Sequence, residues 1–468
     1  MQDKKALSIV VFGVALALSL VTFPPWDTLT YDGALYIDIA RNLAKSPANF
    51  TYQGVYMMYR PPFYPYTLSL FFHFLHDPLN QLKVARLVSA IFFSLTAVLT
   101  FLLALELLKD GKKALMASAF FILNPLAFTM GTRELVHSEF TFFYTLAVYL
   151  LYTGKRKREG IRIYLAFLSA GLAILTRYTG LSIVGVFLLY LWLTEYWEWT
   201  KRREYWLGFG VLALTLAPWL YLGHLHYGGF LRPFEVASRV VTLDRPIDVS
   251  TYFKWLEKDL GRSFLVLVFF GLIRLRQDEE GWLILSWFSV GLLGILTVTH
   301  KETRFITFLS PVMAILAFKG VELMIEATEK ALPTRINPKE WKKPAVLALS
   351  LLLLIPVGLN AVHLKERWNA VGQYDSRVLR YSSEHYTGSE LLVSPYLYTM
   401  AGFYYPGAHV EMILKKKSVE EKIAKAEYDV IIHKDPNTYL NILTSGNYVL
   451  VKEFYGGKFK VFVAKRLL

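Results

Sequence analysis

The chain has 468 residues, 54% of them hydrophobic, a formal net charge of +14 and no cysteine. Without cysteine there is neither a disulfide nor a thiolate metal site. A soluble domain carries roughly 45–50% apolar residues, whereas here the excess is gathered into long runs almost free of charge. The positive balance does not point to nucleic acid, because the basic residues fall in short loops between those runs, where the positive-inside rule places them.

In chain order, the first run covers residues 6–24. Lys4 and Lys5 precede it and predict a cytoplasmic N-terminus. It lacks a small-residue cleavage site and leads into Pro24-Pro25-Trp26, so it reads as a span and not as a removable signal. Residues 26–80 are mixed in polarity, and Arg60 to Pro65 is too rich in proline to span. This stretch predicts a long outer loop with two interfacial helices, near 33–45 and 63–75.

Further apolar runs follow at 84–108, 114–130, 140–153, 161–176, 179–194, 206–222, 262–273, 281–299, 305–321 and 345–361. A bilayer core of about 30 Å asks for about 20 apolar residues per helix, so the fold class is an α-helical polytopic membrane protein of about eleven transmembrane helices. The runs 140–153 and 262–273 are short and are read as tilted or sheltered. In this threading the basic clusters at 109–113, 155–158 and 201–203, Arg274 with Arg276, and Lys339, Lys342 and Lys343 all fall on one side. Asp32, Glu134 with Glu139, Arg177 and the string His300-Lys301-Glu302-Thr303-Arg304 fall on the other.

The odd number of spans places residues 362–468 outside the cell. Strand-like runs at 391–394, 429–433, 448–452 and 459–465 alternate there with a helical stretch at 418–426, the pattern of a small extracytoplasmic α/β domain. The chain therefore divides into a transmembrane domain, 1–361, and an α/β domain, 362–468.

Five groups of residues have the chemistry of a site. Asp32 stands one helical turn before Tyr36; a carboxylate there can act as general base, or it can simply favour a helix N-terminus. Arg60 is held ahead of the second interfacial helix by Pro61 and Pro62, where it can grip a phosphate or meet lipid headgroups. Glu139 heads an apolar helix, a costly position unless the carboxylate is used or paired, and Arg133 is a nearby partner. Arg177 sits at the tip of a tight hairpin, fit for phosphate binding or for snorkelling. His300, Lys301, Glu302 and Arg304 mark one span junction, where three of them can donate to phosphate or sugar oxygens and Glu302 can orient Arg304 or Lys301. The plain alternative is a polar turn. There is no P-loop, dinucleotide-binding glycine string, His-Glu-x-x-His or Gly-x-Ser-x-Gly, so an enzyme here needs a substrate already activated, as a lipid-linked sugar phosphate is.

Together these residues resemble the GT-C superfamily of polyprenyl-phosphate-sugar glycosyltransferases. Asp32 with Tyr36, Arg60-Pro61-Pro62 and Glu139 are similar to the protein O-mannosyltransferase and aminoarabinose transferase branch. His300-Lys301-Glu302-x-Arg304-Phe305 is similar to the dolichyl-phosphate-mannose-dependent α-mannosyltransferases. The resemblance implies that Asp32 is a catalytic base and Glu139 the second catalytic acidic position, although that position is followed by Phe140 where the aminoarabinose branch has proline. It implies that Arg60, Arg177, Tyr36, His300, Lys301, Glu302 and Arg304 bind the donor. The expected activity is inverting transfer of a sugar, a hexose such as mannose, from polyprenyl or dolichyl phosphate to a hydroxyl of a protein or glycolipid acceptor, on the extracytoplasmic face of the cell membrane. No metal is expected to be obligatory, although Asp32, Asp38 and Glu139 carry the oxygen ligands a divalent cation takes. The alternatives are a transporter or flippase, which places ionisable groups near the bilayer midplane, and a polymerase or ligase of lipid-linked saccharides.

Overall fold

The structure is a computed structural model and describes residues 2–26, 28–242, 246–331, 338–413, 417–433, 446–456 and 459–466. The side chains of Lys339, Lys342 and Lys343 lie outside the described residues. The chain forms two compact units. The first comprises residues 1–23, 58–64 and 86–366; the second comprises 24–57, 65–85 and 367–468.

Every expected span position is helical. They are α1 (Gln2–Val21), α4 (Pro78–Leu108), α5 (Gly111–Ile122) with α6 (Pro125–Met130), α7 (His137–Lys157), α8 (Gly160–Thr176), α9 (Ser182–Glu195), α10 (Arg203–Tyr227), α13 (Arg262–Ile273), α14 (Glu279–Leu296), α15 (Ser310–Ala331) and α16 (Pro338–Ala370). Between them lie α2 (Tyr31–Lys45), α3 (Phe63–Phe72), α11 (Arg232–Thr242) and α12 (Val249–Leu260). Among the described residues, seven helices are long and apolar enough to cross a membrane. The runs near 114–130, 140–153, 161–176 and 262–273 do not meet that measure. The run 114–130 is broken at Asn124, whose side chain accepts from Ala127 N at 3.0 Å while Pro125 opens the next helix. A proline has no N–H to extend the preceding helix but suits a first turn.

Side chains join the helix ends in two groups. Lys4 pairs with Glu106 at 3.7 Å, Lys113 with Glu322 at 2.5 Å, Lys155 with Glu279 at 2.7 Å, Arg156 with Glu280 at 3.6 Å and Arg274 with Glu322 at 3.7 Å. All of these residues belong to ends expected on the cytoplasmic side. The opposite ends are joined by Arg86 with Glu134 at 2.9 Å, Arg177 with His137 at 3.2 Å and Lys365 with Thr132 at 3.0 Å. The parity deduced from loop charge is therefore also the pattern of contacts within the first unit.

In the second unit a five-stranded sheet runs β4 (His409–Met412), β3 (Glu390–Val393), β5 (Val430–His433), β7 (Phe459–Arg466) and β6 (Tyr448–Gly456), after a short hairpin of β1 (Thr51–Tyr52) and β2 (Val55–Tyr56). β3 is parallel to β4 and β5, while β7 is antiparallel to β5 and β6. Parallel neighbours need a crossover, supplied by α18 (Pro395–Tyr404) and α19 (Lys417–Ala424); α17 (Gln373–His385) precedes the sheet. All four side chains of β5 are buried. Strand β4, absent from the sequence expectation, is an edge strand with only Val410 buried, so its His-Val-Glu-Met lacks an apolar run.

Candidate active site

In the second unit, Asp32 stands in the first turn of α2, half-buried, and Tyr36 follows one turn later at 4% exposure. The helix is capped by Thr30, whose Oγ1 accepts from Gly33 N at 3.0 Å. The capping role open to Asp32 is thus filled by another residue, and a carboxylate in the first turn is favourable there. Tyr31 donates to Asp375 Oδ2 at 2.5 Å. Further along α2, Arg41 is buried; it donates to Gln81 Oε1 at 2.5 Å and to the carbonyl of Gly402 at 3.1 Å, and lies over the Phe403 ring at 5.0 Å. Asp38 is 3.6 Å from the same guanidinium. Burial raises the Asp38 carboxyl above the usual carboxylate range, against the lowering pull of Arg41.

In the first unit, Arg177 ends α8 and lies over Phe305 at 4.6 Å and Phe140 at 5.9 Å, with one guanidinium nitrogen 3.2 Å from His137 Nδ1. Arg304 faces the same Phe305 ring at 5.8 Å. Glu302 holds Arg304 by two bonds, of 2.6 and 2.9 Å, and meets His300 Nε2 at 2.9 Å. Two guanidinium groups therefore stand against one aromatic ring, and planar, weakly hydrated cations of this kind suit phosphate oxygens. Arg60 belongs to the same neighbourhood by its chain. Met58, two residues before it, accepts from Tyr178 OH at 2.7 Å and donates to Tyr227 OH at 2.9 Å, and Trp219 donates to Tyr178 at 2.8 Å. Tyr178 follows Arg177 directly.

Lys301 points elsewhere. It is buried and its Nζ donates to Ile247 O at 3.0 Å, while Thr303 donates to Asp259 at 2.5 Å. These contacts tie the junction to the segment carrying α12. Glu139 is fully buried at the head of α7. Close by in sequence, Glu134 bonds Arg86 at 2.9 Å and lies 3.9 Å from Arg133.

Two participants were missed in the sequence. His137 sits between Glu134 and Glu139 with no spacing motif to single it out. Arg86 lies inside an apolar run, where a lone arginine is itself the signal of a buried partner. Among the described residues no cluster of three or more His, Asp or Glu side chains is arranged to hold a metal ion.

Residues 59–222 match the family described as dolichyl-phosphate-mannose-protein mannosyltransferase. An uncharacterised protein of Aquifex aeolicus (strain VF5) is 30% identical over 362 residues, which is 72% of this chain and 70% of that protein. Among solved structures, ArnT from Cupriavidus metallidurans in the apo state is similar with a TM-score of 0.68 at 15% identity, over 98% of each chain. Its complex with undecaprenyl phosphate gives 0.66 at 16% identity, over 98% of this chain and 97% of that one. The Archaeoglobus fulgidus oligosaccharyltransferase AglB, in complex with an inhibitory peptide and a dolichol-phosphate, gives 0.53 at 14% identity, over 98% of this chain and 74% of that one. At these identities the likeness to solved structures is one of fold.

Proposed function

Because the chain belongs to one family with the Aquifex aeolicus protein, and residues 59–222 match the mannosyltransferase family, we propose that it is a GT-C membrane glycosyltransferase that moves a single sugar from a polyprenyl-phosphate carrier to an acceptor hydroxyl, with inversion. The sugar proposed is a hexose such as mannose, in keeping with the family matched by residues 59–222. Undecaprenyl phosphate in ArnT and dolichol-phosphate in AglB support a polyprenyl carrier. The acceptor is a protein or glycolipid hydroxyl on the extracytoplasmic face, with the N-terminus in the cytoplasm and the C-terminal region outside, as the distribution of Lys and Arg supports.

The reaction needs few parts. Asp32 takes the proton from the acceptor hydroxyl as its oxygen forms a bond to the anomeric carbon. The bond from that carbon to the phosphate oxygen breaks, and polyprenyl phosphate leaves with the electron pair. A single in-line displacement inverts the anomeric centre. Arg60, Arg177 and Arg304 offset the charge that builds on the phosphate, Glu302 and His300 hold Arg304 in place, and Glu139 and Tyr36 assist substrate binding. With cationic side chains supplying the positive charge, no metal is obligatory.

The observation that carries this reading is the pair Arg177 and Arg304 gathered at the Phe305 ring. The test is turnover of radiolabelled dolichyl-phosphate-mannose by purified wild type beside Asp32→Asn. Label reaching an acceptor or water with wild type alone supports both enzyme class and base. Equal turnover by Asp32→Asn removes the base, and no turnover by either with several lipid-linked sugars removes the enzyme reading.

A further inference from the structure

We propose that the C-terminal region is the positioning device for Asp32, and that Tyr31 and Arg41 are the residues through which it acts. The inference rests on the reading of Asp32 as the base, and all its parts lie in the second unit.

Asp32 closely follows two anchored residues. Just before it, the carbonyl of Leu29 sits against Gly372, where a Cβ would lie 2.2 Å from that oxygen. Its neighbour Tyr31 is bonded at 2.5 Å to Asp375, in the first turn of α17. Both anchors come from the stretch that opens the C-terminal region, so the chain entering the turn that carries the carboxylate is held at two points by one short segment.

Two and a half turns along α2, Arg41 makes the second attachment. The last carbonyls of a helix lack partners within it and carry its negative end. Arg41 donates to two of these at the end of α18, at 3.1 Å to Gly402 O and 3.4 Å to Phe403 O. Its Nε donates to Gln81, and its plane lies over Phe403. The fit is close: a Cβ on Gly402 would stand 3.1 Å from Tyr52 Cε2 and 3.4 Å from Asp38 Cγ. The hairpin after α2 adds Gln53, which accepts from Val410 N at 3.0 Å.

A helix fixed near both ends to one folded region cannot slide or rock independently of it. A general base must reach its proton at hydrogen-bond distance, and a misplacement of about 1 Å can cost about 100-fold in rate. Neither Tyr31 nor Arg41 is placed here on substrate. Their loss therefore lowers kcat and leaves donor binding alone.

The experiment uses full-length protein in detergent with radiolabelled dolichyl-phosphate-mannose, comparing wild type, Tyr31→Phe, Arg41→Gln and Asp32→Asn. Hydrogen–deuterium exchange over residues 31–38 is followed in the same samples. Expected is a fall in kcat of about 10- to 100-fold in Tyr31→Phe and Arg41→Gln, with donor KM within about twofold, and faster exchange confined to α2. A loss carried by KM, or by the folded fraction, overturns the proposal, as does wild-type exchange in both variants. An inactive Asp32→Asn beside fully active Tyr31→Phe and Arg41→Gln also overturns it while leaving the base in place. An active Asp32→Asn removes the base instead, and the exchange data then decide whether the C-terminal region holds α2.

Discussion

Arg86 and Glu134 face each other across 2.9 Å with neither side chain exposed at all. Arg133 approaches the same carboxylate at 3.9 Å. Breaking a buried pair by removing one member costs about 3–5 kcal/mol, because the survivor keeps its charge without its partner. Glu134 serves two arginines, whereas Arg86→Met leaves Glu134 with Arg133. Glu134→Gln should therefore lower the unfolding temperature of the detergent-purified protein more than Arg86→Met does. Equal shifts would show that Arg133 does not share the carboxylate.

Arg177 should not tolerate lysine. Its guanidinium lies over Phe305 at 4.6 Å and meets His137 at 3.2 Å. Lysine keeps the charge but loses the planar fork and the stacking. Arg177→Lys is expected to raise the donor KM by about tenfold, the scale of a lost charge-assisted hydrogen bond, with a smaller change in kcat. A KM equal to wild type in lipid-linked sugar titrations would place the phosphate elsewhere.

The helical positions and their alternating sides were legible because both follow from hydropathy and loop charge, which act locally. What was not legible depends on long-range partners. Arg86 looks like a stray charge in an apolar run until Glu134, 48 residues away, is brought to it. The break at Asn124-Pro125 is a local helix-start signal that the surrounding apolar residues outweighed. The grouping of residues 24–57 with 367–468 was hidden for another reason. A charge rule assigns a segment to a side of the membrane and says nothing about its neighbours there. Asp32, Arg60, Arg177 and the His300–Arg304 string stand out in the sequence because charged groups at the ends of apolar helices are costly without a partner or a use, and the structure turns Lys301 of that string to Ile247 O.

Gly372 is held at φ +74°, with Leu29 O 2.2 Å from where a Cβ would be. Alanine there is opposed by backbone conformation and by a backbone atom that cannot rotate away. Gly372→Ala should destabilise the second unit by about 2 kcal/mol, within the range for strain at such positions. Limited proteolysis reads this directly, since a loosened second unit is cut faster. Unchanged proteolysis would mean that Leu29 yields without cost.

Turnover should survive chelation. Arginines supply the positive charge in the proposed mechanism, and Asp38 is engaged by Arg41 at 3.6 Å. Transfer from the lipid-linked donor in excess EDTA is expected to equal transfer with added magnesium or manganese. A loss restored by one cation would assign oxygen ligands to that ion.

Asp38 gives a pH dependence whose sign is fixed by burial. Desolvation raises its carboxyl above the ordinary value of 3.8, with Arg41 opposing but not cancelling the effect. The folded protein thus holds this proton more tightly than the unfolded chain does. The stability it contributes is full below the unfolded value and is lost as pH rises through the higher folded one. At neutral pH the unfolded chain has released this proton, so burying the carboxyl is a standing cost. Asp38→Asn keeps the volume and removes the charge, while Arg41 retains Gln81 and the Gly402 carbonyl. The variant should unfold at a higher temperature than wild type at pH 7, and the gap should close as pH falls towards 4. A variant less stable than wild type at pH 7 would show that the attraction of Arg41 outweighs desolvation at this site.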